Sequence, residues 1–375
     1  MVETTTAAEP SVRRRLEVLD VLRFTAALMV VLFHWGFNGI NNGKVDSFLF
    51  TSVAPLAVYG YYGVHLFFLI SGYVIAESAR NRTAGQFVVT RGVRLFPAYW
   101  IGMIATTAVV GFWGSDSLQV GAIQFFANLT MVPSLFGQSA IDGVYWTLTI
   151  ELTFYFFVLV VLLLGFGRYL DTLFPAWAIL MFVVAIVAPS VSGSPYLGGY
   201  YAFFAAGAIM AMIRRRGFTV FGCVGLIAAT VTAFMFVISA LPAFNRGHAF
   251  VASPVIVCLM IAFFFCVIAL LWIPRVAELR IPFSRGISDL TYPIYLLHAH
   301  IGYTVLQVFG GHVNPLVLYS LMSIGLLVAG WLLHWGIEVK LQDFWFQVFG
   351  ILRRPMDFLQ GAAMRLSTVL SSVKR

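Results

Sequence analysis

Long apolar runs broken by short polar segments recur from one end of the chain to the other. Ten runs stand out, at about 22–41, 56–76, 95–113, 144–166, 173–190, 197–213, 218–241, 253–273, 289–309 and 315–338. Each is near the ~20 residues with which a helix, rising about 1.5 Å per residue, crosses a hydrocarbon core about 30 Å thick. The pattern predicts an all-α, polytopic integral membrane protein with about ten transmembrane helices. It divides the chain into a basic N-terminus at 1–21, a ten-helix membrane domain at 22–338 and a basic tail at 339–375. The longest gap, 114–143, holds the short apolar stretch Gln124 to Val132, which is expected to dip into the interface. No gap has room for a second soluble domain. From Arg353 onward the tail is basic and mildly amphipathic, as befits a helix lying on a membrane surface. The two halves share no convincing repeat, which weighs against an inverted-repeat transporter.

Composition agrees. Of 375 residues 61% are apolar and 10% charged, too few charges for the surface of a soluble domain. The formal charge of +8 would suit a nucleic-acid binder, but its placement excludes that class. With a cytosolic N-terminus, the segments 1–21, 77–94, 167–172, 214–217, 274–288 and 339–375 carry all of the 23 Lys and Arg residues except Lys44 and Arg246, once Arg23 is counted at the cytosolic edge. Such asymmetry orients the chain in a plasma (inner) membrane with both termini cytosolic and lipids as its neighbours. Met1 to Glu17, with Arg13, Arg14 and Arg15, lacks the cleavage pattern of a signal peptide, so the first helix is expected to be retained. Cys223, Cys258 and Cys266 all fall in apolar runs with no CxxC and read as packing residues.

A few ionisable groups interrupt the apolar pattern, and these carry the candidate chemistry. His34 lies eleven residues beyond Arg23, roughly 16 Å into the first helix and on the same face. Asn38 and Asn41 continue that face outward. Glu151, about 10 Å below the opposite surface, has Thr147 and Tyr155 one turn to either side. His298, one turn beyond Tyr295, and His65 in the second helix reach a similar depth. Intramembrane ionisable groups face a bundle interior or a water-filled cavity. The plain alternative for each is an interhelical hydrogen bond. His300 and His334 read as packing or interface groups, and Asp289 as a helix N-cap. Arg91 and Arg94, three residues apart at a membrane edge, form a fork suited to phosphate groups, with topology and lipid headgroup contact as the bland reading. Pro97 fits an early helical turn. No spacing suggests a metal site.

These residues resemble the signature of the integral-membrane acyltransferase family 3. Leu19, Asp20, Leu22, Arg23 and His34 match its L-D-x-L-R…H. Gly63 to Tyr73 is similar to G-V-D-L-F-F-x-I-S-G-F, with His65 in place of the aspartate. Arg91, Arg94, Pro97, Tyr99 and Trp100 match R-x-x-R-x-x-P-x-Y-W. Trp146 to Glu151 resembles W-S-L-S-x-E, followed by Leu152 where many members carry a second acidic residue. Thr291 to His298 resembles S-Y-x-x-Y-L-x-H. The five motifs occur in family order.

The resemblance implies transfer of an acyl group, usually acetyl, from cytosolic acyl-CoA to a hydroxyl of a carbohydrate or glycoconjugate, without a metal. Arg91, Arg94 and Arg23 would hold the CoA phosphates. His34 would act as general base or transient acyl carrier, with Glu151 orienting or stabilising the imidazole. Tyr295, His298 and His65 would line the acceptor path. A homo-oligomer stays open. The competing class is a proton-coupled transporter with His34, Glu151 and His298 as a relay. A non-catalytic lipid-binding scaffold leaves the convergent polar groups without a purpose.

Overall fold

The computed structural model describes residues 15–46 and 52–373, with side chains as far as 366. The expected cytosolic segment up to Arg14, including Arg13 and Arg14, and the last residues of the basic tail lie outside the described residues. Among the described residues the chain is all helical. Thirteen helices frame it: α1 (Glu17–Phe33), α2 (Gly63–Ala79), α3 (Ala84–Trp113), α4 (Trp146–Leu163), α5 (Leu170–Val187), α6 (Tyr201–Arg216), α7 (Val220–Phe244), α8 (Pro254–Ala269), α9 (Ser284–Leu297), α10 (Ala299–Phe309), α11 (Pro315–Leu333), α12 (Gln342–Gly350) and α13 (Arg353–Val373).

Eight helical stretches among the described residues are long and apolar enough to cross a membrane. The other two expected spans are helical but depart from a simple crossing. The run at 197–213 becomes α6, of 16 residues, in which every position from Tyr201 to Ile213 is buried. It sits in the middle of the bundle, packed against α2, α5 and α7. The run at 289–309 starts earlier, at Ser284, and is broken at His298 into α9 and α10. Asp289 is therefore inside α9 and is not its N-cap. Pro97 also falls in a helix interior, because α3 begins at Ala84 under a complete capping box of Thr83 and Gln86. Without a proline N–H, the Val93 carbonyl loses its helical partner.

Close backbone approach sets the centre. α1 packs on α2 and α9, and α9 packs on α3 and α11. A Cβ on Gly63 would stand 2.6 Å from the Ala26 carbonyl oxygen, so α1 and α2 touch backbone to backbone. Gly72 and Gly207 do the same for α2 and α6, each lying against a carbonyl of the other helix, Phe204 and Leu69 respectively. Small residues at crossings are how helices associate where lipid removes the hydrophobic drive. The outer faces are apolar: Phe112, Ile186, Ile227, Leu259, Phe263 and Leu316 are all exposed.

Loop 114–143 folds down as a two-turn helix, Ala122–Asn128, and Asn128 organises it. The Asn128 amide donates to the Gln124 and Ser139 carbonyls and its oxygen accepts from the Ile141 N–H. Tyr99 and Trp100 of α3 donate to the carbonyls of Asn128 and Leu129. At the other end α12 and α13 dock on α3, where Asp357 and Gln360 accept the first free N–H groups of that helix, those of Gly85 and Ala84. The three cysteines are free.

Candidate functional site

The first helix widens where its histidine sits. After Phe33 the backbone enters a π-helical turn, His34–Asn38. Such turns are rare and recur at functional sites. Contacts from the broken helix and from α11 brace it. The Trp35 indole donates to the His298 carbonyl at 2.8 Å, and Tyr319 donates to the Trp35 carbonyl at 2.9 Å. The Asn38 amide donates to the Tyr303 hydroxyl at 2.9 Å.

His34 and His298, 264 positions apart, meet inside. His34 Nδ1 lies 2.8 Å from the Val30 carbonyl and 3.2 Å from His298 Nε2. His298 Nδ1 lies 2.9 Å from the Tyr295 carbonyl. A carbonyl only accepts, so each Nδ1 carries a proton. His298 Nε2 is then a lone pair that accepts from His34 Nδ1–H, and His34 Nε2 is left with its own lone pair. The rings cross edge to face at 4.9 Å.

A fully buried carboxylate braces the break. Asp142 accepts the N–H groups of Val144, at 3.1 Å, and His300, at 2.9 Å, the latter in the first turn of α10. A negative charge suits that helix terminus. His300 Nε2 in turn accepts from Gly143 N–H at 3.2 Å and Lys44 Nζ at 2.8 Å. Burial pushes the Lys44 ammonium below its ordinary value, with Asp142 acting in the opposite direction.

His34 opens onto a cavity of about 350 Å³, whose walls include Phe33, Asn38, Tyr61, Trp146, Phe244 and His248. His248 escaped the sequence reading because it stands in a polar connection. Its ring is wedged edge-on between Phe37 and Phe244, and burial pushes its pKa down. Asn245 fixes the connection by two bonds to Ala252.

A second cavity of about 810 Å³ lies at the other side of the bundle, and its walls carry Arg23, Arg91 and Arg94. Arg15, Arg214 and Arg285 join them, three cations that motif spacing did not reveal. Arg91 lies over the Tyr155 ring and Arg94 over that of Tyr292. Asp289, His334, Glu338, Gln342 and Phe346 complete the wall, so the chain beyond the last span shapes the site. His334 bonds Glu338 at 2.7 Å. The volume falls within the about 300–1,000 Å³ typical of ligand pockets.

The structure thus brings His34 to His298 and gathers the three expected arginines, but it separates the two groups. Glu151 belongs to the arginine-lined cavity, where its carboxylate accepts from Ser71, at 2.8 Å, and Tyr155, at 2.7 Å. Val30 and His298, rather than Glu151, hold the His34 imidazole. His65 is buried among the rings of Tyr61, Tyr62, Tyr200 and Phe203 and lines neither cavity. Tyr295 and Val64 line both.

Comparison with known proteins gives two findings. Residues 16–335 match the family model described as Acyltransferase domain. Nodulation protein 10 of Rhizobium leguminosarum bv. viciae is 31% identical over 160 residues, a stretch covering 36% of this chain and 41% of that protein. No solved structure matches the chain.

Proposed function

The chain belongs to the integral-membrane acyltransferase family 3, and from that membership we propose that it is an O-acyltransferase. It moves an acyl group, acetyl in the simplest case, from acyl-CoA to a hydroxyl of a carbohydrate or glycosylated acceptor. It works in the plasma (inner) membrane with both termini and the arginine-lined cavity facing the cytosol. The observation that carries this reading is the abutment of two chemically different cavities at Tyr295 and Val64, one rich in arginine and the other holding the His34 lone pair.

Arg91, Arg94 and Arg23 take the CoA phosphates as charge-assisted, planar donors. The pantetheine arm runs inward and presents the thioester at the junction. His34 Nε2 then removes the proton of the acceptor hydroxyl as its oxygen attacks the thioester carbon. The C–S bond breaks, and the imidazolium returns its proton to the departing thiolate. While His34 is charged, its Nδ1–H keeps the Val30 carbonyl and the His298 lone pair as acceptors. In a two-step version Nε2 itself attacks the thioester carbon and the C–S bond breaks to release thiolate; the hydroxyl oxygen then takes the acyl group as the C–N bond breaks, and its proton goes to the thiolate. Glu151 holds Ser71 and Tyr155 in place on the donor side.

The test is the mass of surface glycans or secreted glycosylated metabolites in cells with and without the chain. One acyl group of difference names donor and acceptor class together. His34→Ala should remove that difference while the protein still inserts, and an unchanged mass shift in that variant overturns the assignment. The His34–His298 bond also suits a proton relay in a transporter. Flux into proteoliposomes without any acyl donor would favour that second reading.

A further inference from the structure

The two cavities share only two residues of their walls, Val64 and Tyr295. Val64 stands on the part of α2 that lies against α1 backbone to backbone at Gly63, so its wall has little freedom to retreat. Tyr295, on α9, is the other shared wall residue. The Tyr295 hydroxyl shares a 2.6 Å hydrogen bond with Thr147, whose residue lines the arginine side, and reaches the Val144 carbonyl, on the histidine side, at 3.3 Å. Its ring meets the edge of Phe67 at 5.5 Å. Both residues are at least 95% buried, Val64 at 4% and Tyr295 at 5% exposure. These two residues close the boundary between the cavities, one held by a polar latch and the other aliphatic, so a group passing from one cavity to the other meets a constriction there.

On the proposed acyl-transfer function, the thioester arrives on one side of this constriction and the base stands on the other. The acyl group is the part of the donor that must enter it. We propose that Val64 and Tyr295 are the specificity-determining residues for the acyl group, admitting short acyl thioesters and excluding longer ones. Tyr295 swings from its Thr147 latch as the acyl group passes. Val64 sets the remaining width. A single methylene in an apolar pocket is worth about tenfold or more in discrimination, so removing two methyls from this wall should be readily measurable.

The experiment measures CoA thiol release from acetyl-, butyryl- and hexanoyl-CoA by membranes containing the full chain, in the presence of an extract of the cells whose glycans or glycosylated metabolites supply the acceptor hydroxyl, with His34→Ala membranes as the blank. Val64→Ala should raise the butyryl-to-acetyl rate ratio by about tenfold or more. Val64→Phe should abolish release from all three donors while its affinity for acetyl-CoA stays near wild type, which reports that the cytosolic side is folded. Tyr295→Phe, unlatched, should gain on butyryl-CoA relative to acetyl-CoA. Wild-type membranes no more active than the blank with any donor would overturn the acyl-transfer reading and this inference with it. Wild-type activity with an unchanged donor profile in Val64→Ala, or full turnover in Val64→Phe, would overturn the gauge alone.

Discussion

At the scale of single residues, the decisive fact is where protons sit on two imidazoles. Val30 and Tyr295 offer carbonyls, and these fix both Nδ1 atoms as donors and leave His34 Nε2 free. On the proposed mechanism His298 is a positioning residue that acts through His34. His298→Phe should lower turnover by about 10²-fold, within the range attributed to general acid–base groups. His298→Gln, whose amide oxygen can still accept from Nδ1–H, should recover part of that loss. Equal activity in the two variants would show that the ring only fills space. Michaelis kinetics on acyl-CoA in isolated membranes check this, with KM for the donor expected to stay constant. The sequence made His34 legible because a titratable group in an apolar run is conspicuous. Its partner was legible only as another such residue. Depth along a helix places Glu151, His65 and His298 at one level, but rotation about each helix decides which of them meet, and apolar runs with little amphipathicity leave rotation undetermined. Asp142 and His248 gave no signal because a polar residue in a connection is unremarkable until its burial is known.

At the scale of elements, the crossing of α2 and α6 has no room for a methyl group. A Cβ on Gly207 would overlap the Leu69 carbonyl oxygen, and one on Gly72 that of Phe204, both far inside van der Waals contact. Gly207→Ala must therefore push two backbones apart and should cost about 1–3 kcal/mol or more, the scale of overpacking. Gly325→Ala, where no atom lies within 4 Å of the added carbon, should be neutral or slightly stabilising, since alanine is the better helix former. Thermal unfolding in detergent distinguishes them, and equal midpoints would contradict the tight crossing. Hydrophobic runs located most of these helices within a few residues, whereas α3 starts at Ala84, well before its run at 95–113. They did not reveal the π turn at His34 or the break at His298, because both arise from distant partners, Trp35 reaching the His298 carbonyl and Asp142 capping α10. Nor could they show that α6, the shortest of the runs, is the buried centre.

At the scale of the whole molecule, charge is sorted as strongly as apolarity. Arg15, Arg91, Arg94, Arg214 and Arg285 converge on one cavity from four parts of the chain. Affinity for acyl-CoA should fall between about 0.1 and about 1 M salt, as the Debye length shrinks from ~10 to ~3 Å. Arg91→Ala should weaken binding about tenfold or more, the worth of one charged hydrogen bond, and flatten that salt dependence. Titration of acetyl-CoA at several ionic strengths reads both, and an unchanged affinity in Arg91→Ala would remove its phosphate role. The segment after the last span gains a meaning here. The family match ends at residue 335, yet Glu338, Val339, Gln342 and Phe346 wall the arginine cavity, and α13 clamps the start of α3 beside it. The imidazole pair lies wholly within the matched portion, whereas one wall of the arginine-lined cavity is built from chain beyond it. On the proposed function, that division separates the part of the chain that grips the donor from the part that reacts. If the proposed function holds, swapping the segment from 336 onward between family members should change affinity for acyl-CoA while leaving the His34–His298 contact undisturbed.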